Sequence, residues 1–178
     1  MHSAYLSLGS NLDPERHLRA AAAALRERFG DVVFSSVLRT PAVGFEGPDF
    51  LNAAAIVRTD LDPHALDAWL HALEASQGRD RSAPRFSSRT LDIDIVFYDD
   101  LVIVPMQESH LQLPRPELQL AFVLQPLAQI APDFRDPTSG QTLAQLWAAH
   151  PQHAEPLPSA LWGESLNECP VGTRSPPD

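Results

Sequence analysis

Arg85-Phe86-Ser87-Ser88-Arg89-Thr90-Leu91-Asp92-Ile93-Asp94-Ile95-Val96-Phe97 runs from a basic loop straight into an alternation of apolar and acidic side chains. Alternation with period two marks a strand with one dry and one wet face. Leu91, Ile93, Ile95 and Phe97 are therefore expected toward a core, and Asp92 and Asp94 away from it. Carboxylates at i and i+2 of a rigid strand offer hard oxygen ligands to Mg²⁺, and arginines just upstream can hold the phosphates that such a metal bridges. The same pattern fits an ordinary half-buried strand beside a solvated loop, so its meaning depends on the rest of the chain.

Upstream, Ala4-Tyr5-Leu6-Ser7-Leu8 alternates as a strand, Gly9-Ser10-Asn11 turns the chain, and Asp13-Pro14 predicts a helix N-cap with proline in the first turn. Leu18, Ala22, Leu25 and Phe29 make one helical stripe, stopped by Gly30. Residues 31–39 read as a second strand, 40–49 as a loop rich in proline and glycine, and 50–57 as a third strand. Asp62-Pro63 repeats the cap signal for a helix that turns Leu66, Leu70 and Leu73 inward and ends near Gln77-Gly78.

After the acidic strand, Asp99-Asp100 reads as a hairpin turn into a short edge strand over 101–104. Pro114 and Pro116 keep the next segment extended, and helices are expected over about 117–125, with Pro126 near the end, and 141–149. The order β-α-β-β-α-β-β-α-α predicts an α+β fold, a ferredoxin-like sandwich with a mainly antiparallel sheet covered by helices on one face. Residues 1–150 are expected to form one domain. Residues 151–178 carry six prolines in 28 residues without periodicity and read as a proline-rich flexible tail.

At 178 residues and 44% hydrophobic content the chain is long enough for one real core, and no apolar run approaches the length of a membrane span. Its beginning, Met1-His2-Ser3-Ala4, leads into a strand without a secretory pattern, so a cytoplasmic, membrane-free monomer is expected. The single Cys169 excludes an internal disulfide and a cysteine metal cluster. A net charge of −10 argues against nucleic-acid binding. All 13 basic residues are arginine, which excludes P-loop lysine and Schiff-base chemistry. Arg79, Arg81, Arg85 and Arg89 crowd into 11 residues of an otherwise acidic protein, so any phosphate is held by arginine. His64, His71, His110, His150 and His153 show no metal spacing and read as surface residues.

Four ordered segments together resemble the 6-hydroxymethyl-7,8-dihydropterin pyrophosphokinase family of folate biosynthesis. They are Tyr5-Leu6-Ser7-Leu8-Gly9-Ser10-Asn11-Leu12, Arg39-Thr40-Pro41-Ala42-Val43-Gly44 with Asp49-Phe50-Leu51-Asn52-Ala53-Ala54, Leu73-Glu74-Ala75-Ser76-Gln77-Gly78-Arg79, and Arg89-Thr90-Leu91-Asp92-Ile93-Asp94. The resemblance covers about residues 4–147 and implies transfer of diphosphate from ATP to the hydroxymethyl group of the pterin, releasing AMP. It implies that Asp92 and Asp94 hold two Mg²⁺ ions, with Arg79 and Arg89 as the catalytic cations. Glu74, Arg81, Arg85, Ile95 and Arg115 would serve ATP. Phe50 and Phe122 would stack on the pterin, Asn52 would read its edge, and Thr40, Pro41 and Val43 would complete that pocket.

The sequence departs from the family where Ser87-Ser88 replaces Gly-Pro, Phe86 a frequent tryptophan and Arg115 a histidine, and where Leu120 lies near a position at which the family usually has a nucleotide-contacting arginine, in a segment one residue short. Two other readings stand beside this one. They are a divergent pterin-binding paralogue with another donor or a modified pterin, and a non-catalytic ferredoxin-like anion-binding module.

Overall fold

The structure, a computed structural model, describes residues 1–83, 87–105, 110–160 and 166–167. Strand β1 (His2–Ser10) lies at the centre of an antiparallel sheet, between β4 (Phe50–Thr59) and β5 (Asp92–Tyr98). The short strands β2 (Val33–Phe34) and β3 (Leu38–Thr40) both pair with β4, giving the order β2-β4-β1-β5 with β3 beside β4. This is the ferredoxin-like arrangement. The expected strand over 31–39 is split in two because the buried Ser35 hydroxyl accepts the Ala54 N–H at 2.8 Å, interrupting the backbone ladder.

Helices α1 (Pro14–Phe29) and α2 (Pro63–Ser76) bury Leu18, Leu25, Leu66 and Leu70 against Leu6, Leu8, Ile93 and Ile95 on one face of the sheet. Helices α3 (Ala121–Ile130) and α4 (Leu143–Ala148) cover the other face, where Val123, Leu124, Leu127 and Leu143 meet Ala54, Val96 and Phe97. Both faces are thus covered rather than one. The run Ala53-Ala54-Ala55 in β4 presents small side chains to both layers, so helices can approach from either side.

The acidic strand holds a second departure. Pairing with β1 shifts register between Tyr5↔Phe97 and Leu6↔Ile95, leaving Val96 as the extra residue of a bulge. Phe97 therefore turns away from Ile93 and Ile95 to the α3 face, 4.9 Å from the ring of Phe134, while Tyr98 takes its place in the α1/α2 core. Asp92 and Asp94 keep the face expected of them because the bulge lies beyond them.

Local signals succeeded where they rested on a side-chain hydrogen bond. The Asp62 carboxylate accepts from the N–H groups of His64 and Ala65 and caps α2. Asp13 does not cap α1; at φ 46° it is left-handed and pairs with Arg16 Nε at 2.5 Å. Residues 101–104 form no strand beyond the single Ile103–Leu113 bridge, since Pro105 has no N–H to extend a ladder. Pro116 opens a 3₁₀ turn, Pro116–Gln119, and Pro126 sits buried inside α3, which begins only at Ala121.

The expected flexible tail is partly docked. Ser159 bridges Leu38, with Arg39 N–H donating to the Pro158 carbonyl and Ala160 N–H to the Val37 carbonyl. Leu166 is buried in the α1/α2 core, and the Asn167 side chain bonds both the N–H and the carbonyl of Phe34. The chain thus adds a bridge beyond β3. Proline richness removed the periodicity by which docking of this kind is recognised. Residues 161–165 and 168–178, with Trp162 and Cys169, lie outside the described residues.

Candidate functional site

A cavity of about 750 Å³ opens on the α3 side of the sheet, between the β3–β4 loop and the residues that follow α2. Asp92 and Asp94 stand side by side at one end, as their i, i+2 spacing on β5 requires. Arg79 donates to Asp92 Oδ1 at 2.6 Å and to the Leu91 carbonyl at 2.8 Å, and Arg89 bonds Asp92 Oδ2. Arg115 pairs with Asp94 at 2.7 Å, leaving its buried Nε without a hydrogen-bond partner, 3.6 Å from Glu117.

These pairings separate the two acids electrostatically. Burial opposes ionisation of Asp92, but the guanidiniums of Arg79 and Arg89 more than reverse it and hold the carboxyl below its usual range. Burial pushes Asp94 up to about 6, the Asp92 charge pushes the same way, and Arg115 opposes both. Among the described residues no group of three or more His, Cys, Asp or Glu is placed to hold a metal. A cation here would rest on two carboxylates and take its remaining ligands from phosphate oxygens and water, which is the coordination Mg²⁺ favours. The donor set fits that ion.

Glu74, expected to serve ATP, is buried at the end of α2 with its oxygens engaged by the protein. Oε1 accepts the Ile93 N–H at 2.8 Å and Oε2 is bonded by Arg81, while Arg79 lies 3.5 Å away. Burial is the main reason its carboxyl is raised to about 7. Its visible work is to fix two arginines and the entry to β5.

At the other end, Asn52 and Thr40 are both buried, and the Asn52 amide donates to Thr40 Oγ1 at 2.8 Å. Leu38 opposes Asn52 across the β3–β4 pair, and Thr40 opposes Phe50, so a three-residue strand places the pocket's threonine. A Cβ on Gly9 would meet Asn52 Oδ1 at 3.0 Å; a bare glycine there leaves the amide its room. Phe50 and Phe122 line this end with Pro41 and Val43, and Phe45 meets the Phe50 ring edge-on at 6.3 Å.

Of the sequence-predicted residues, Arg85 and Phe86 lie outside the described residues. Ile95 is the one described residue that does not join the cavity, because its side chain is buried in the α1/α2 core. Arg81, Arg115 and Leu120 line the wall. His71 and His110 are exposed, as expected of surface residues, and also line it; partial burial lowers the His71 pKa. Asp67, His71 and Glu74 follow at i, i+4 and i+7 of α2, a one-face spacing that could have revealed His71.

Sequence reading also missed Asn11, taken only as a turn residue. Its buried amide donates to the Pro48 carbonyl and to Ser88 Oγ and accepts the Arg89 N–H at 2.7 Å, tying the two cavity loops together. Ser88 therefore has a structural use at a point where the family pattern differs.

Residues 5–132 match the family model described as 7,8-dihydro-6-hydroxymethylpterin-pyrophosphokinase. The 2-amino-4-hydroxy-6-hydroxymethyldihydropteridine pyrophosphokinase of Synechocystis sp. is 40% identical over 149 residues, 82% of this chain and 74% of its own. The protein of the same name from Pseudomonas aeruginosa is 38% identical over 164 residues, 88% of this chain and 97% of its own. Among solved structures, Plasmodium falciparum HPPK-DHPS matches the fold with a TM-score of 0.62 at 15% identity over 83% of this chain, which spans 43% of that longer chain.

Proposed function

The chain belongs to the 7,8-dihydro-6-hydroxymethylpterin-pyrophosphokinase family, and we propose that its cavity carries out transfer of diphosphate from ATP to the hydroxymethyl group of 6-hydroxymethyl-7,8-dihydropterin, with release of AMP. The observation that carries this reading is the joining, in one cavity, of an arginine and carboxylate end at β5 to an aromatic and amide end at β3–β4.

The Asn52 amide reads the polar edge of the pterin while Phe50 and Phe122 take its faces, fixing the hydroxymethyl group toward β5. Asp92 and Asp94 hold Mg²⁺, two ions in our reading, which would supply charge neutralisation to the triphosphate and orientation to the attacking oxygen. Arg79 and Arg89, held beside that position by Asp92, are placed to exchange carboxylate for phosphate oxygens as charge moves onto the transferring group. Arg115, whose Nε makes no hydrogen bond, and Arg81, tethered by Glu74, complete the nucleotide side. Arg115 supplies a fixed cation to the same cavity that Leu120 lines, and Leu120 lies near the position where the family usually has an arginine.

A coupled assay for AMP formation tests this. Turnover is expected only when ATP, Mg²⁺ and the reduced pterin are all present. AMP formation independent of the pterin, or none under any condition, would overturn the reading.

A further inference from the structure

The docked segment after His150 reaches the cavity. Gln152 and Leu157 line it, although neither belongs to the strands and helices that build the site. Leu157 is held through its backbone: its N–H donates to Gln125 Oε1 at 2.9 Å and its carbonyl accepts from Gln125 Nε2 at 3.1 Å. Gln125 is buried in α3, so both polar ends of its side chain are satisfied by one residue of the strap. The next residue, Pro158, accepts from Arg39 N–H, and Ala160 donates to Val37.

These anchors locate Leu157 within the cavity. Gln125 stands three residues after Phe122 on α3, one turn along the same side. Arg39, on the other flank, immediately precedes Thr40, the acceptor for the Asn52 amide. Leu157 is thus pinned between the helix that presents Phe122 and the strand that presents Thr40, at the end opposite the carboxylates.

We propose that residues 151–160 form a strap that walls the aromatic end of the cavity, with Leu157 a specificity-determining residue for the flat heterocycle and Gln125 the positioning residue that aims it. The strap also braces β3, a strand of only three residues whose place decides where the Thr40 hydroxyl meets Asn52. This rests on the assignment of the pterin to that end of the cavity.

The full-length chain and its variants Leu157→Ala and Gln125→Leu are to be compared in steady-state kinetics with each substrate varied in turn, alongside thermal unfolding. Leu157→Ala removes apolar contact and should raise the KM for the pterin by about three- to tenfold, with kcat and the KM for ATP changed less than about twofold. Gln125→Leu should produce the same split. The double variant should be little worse than either single one, because both act through one wall. Leu157→Met, which keeps volume, should restore most of the loss and guards against a folding defect. Pterin KM values unchanged in both single variants, or equal rises for both substrates, would overturn the strap's role while leaving the reaction assigned above intact. A wild-type protein that neither bound nor turned over the pterin would overturn both.

Discussion

At the β5 end of the cavity Arg79, Arg89 and Arg115 are paired with two carboxylates, whereas at the β3–β4 end Asn52, Phe50 and Phe122 hold their places with no ionised group among them. The first end is built from opposed charges, three arginines on two carboxylates, that hold one another in the free protein and can be re-partnered when a triphosphate arrives. The second is built from one amide fixed by one hydroxyl and from rings fixed by packing. Phosphoryl transfer needs charge that answers to changing charge on the substrate, while recognition of a neutral heterocycle needs donors and acceptors that do not move. Substitutions at the two ends should therefore fail in different ways.

The largest effect is expected at β5. Asp92→Ala and Asp94→Ala should each lower kcat by about a thousandfold or more, measured as AMP release, because the triphosphate charge is left uncompensated. Thermal unfolding of Asp94→Ala should be unchanged or slightly raised, since the native protein resists ionising this carboxyl. Unfolding of the variant far below wild type would instead make Asp94 a structural residue.

At the opposite end, Asn52→Ala should raise the pterin KM by roughly ten- to a hundredfold, the loss expected for a buried polar contact worth about 1–3 kcal/mol, with the ATP KM nearly constant. A comparable rise for ATP would show that the two ends are not independent. Arg115→Ala should give the mirror image, an ATP requirement raised by about tenfold and an unchanged pterin KM.

The smallest effect concerns pH. Glu74 has a carboxyl near 7 in the folded chain against an ordinary 4.5, so between those values the native state keeps a proton that the unfolded state has lost. Stability must then fall as pH rises through that window, by at most about 3 kcal/mol from this group. Glu74→Gln should flatten the fall, read as the slope of unfolding free energy between pH 5 and 8. An unchanged slope would show that Glu74 does not carry it.

How far these two ends were legible in the sequence follows from the same physics. Period-two alternation placed Asp92 and Asp94 correctly because side-chain direction on a strand is local. It misplaced Phe97 because the bulge at Val96 is set by pairing with β1, which lies some 90 residues away in the chain. Asp62-Pro63 capped its helix, while the similar Asp13-Pro14 did not, since Asp13 adopts a left-handed backbone and turns its carboxylate to Arg16. The roles of Asn52, Phe50 and Phe122 came from resemblance alone, as single amides and aromatics carry no periodic signal. Asn11, Gln125 and Leu157 were not legible: each acts through hydrogen bonds between a side chain and backbone far apart in sequence, and those leave no pattern in composition or spacing.

The account stands most directly on the claim that the β5 carboxylates hold the metal for a site otherwise made of arginine. Initial rates against Mg²⁺ concentration, at saturating ATP and pterin, should show no turnover in wild type without the ion and a saturable rise with it. Asp94→Asn, nearly the same shape without the charge, should stay below about a thousandth of that rate, or reach it only at far higher Mg²⁺. An Asp94→Asn protein with near-wild-type rate and the same half-saturating Mg²⁺ would contradict it.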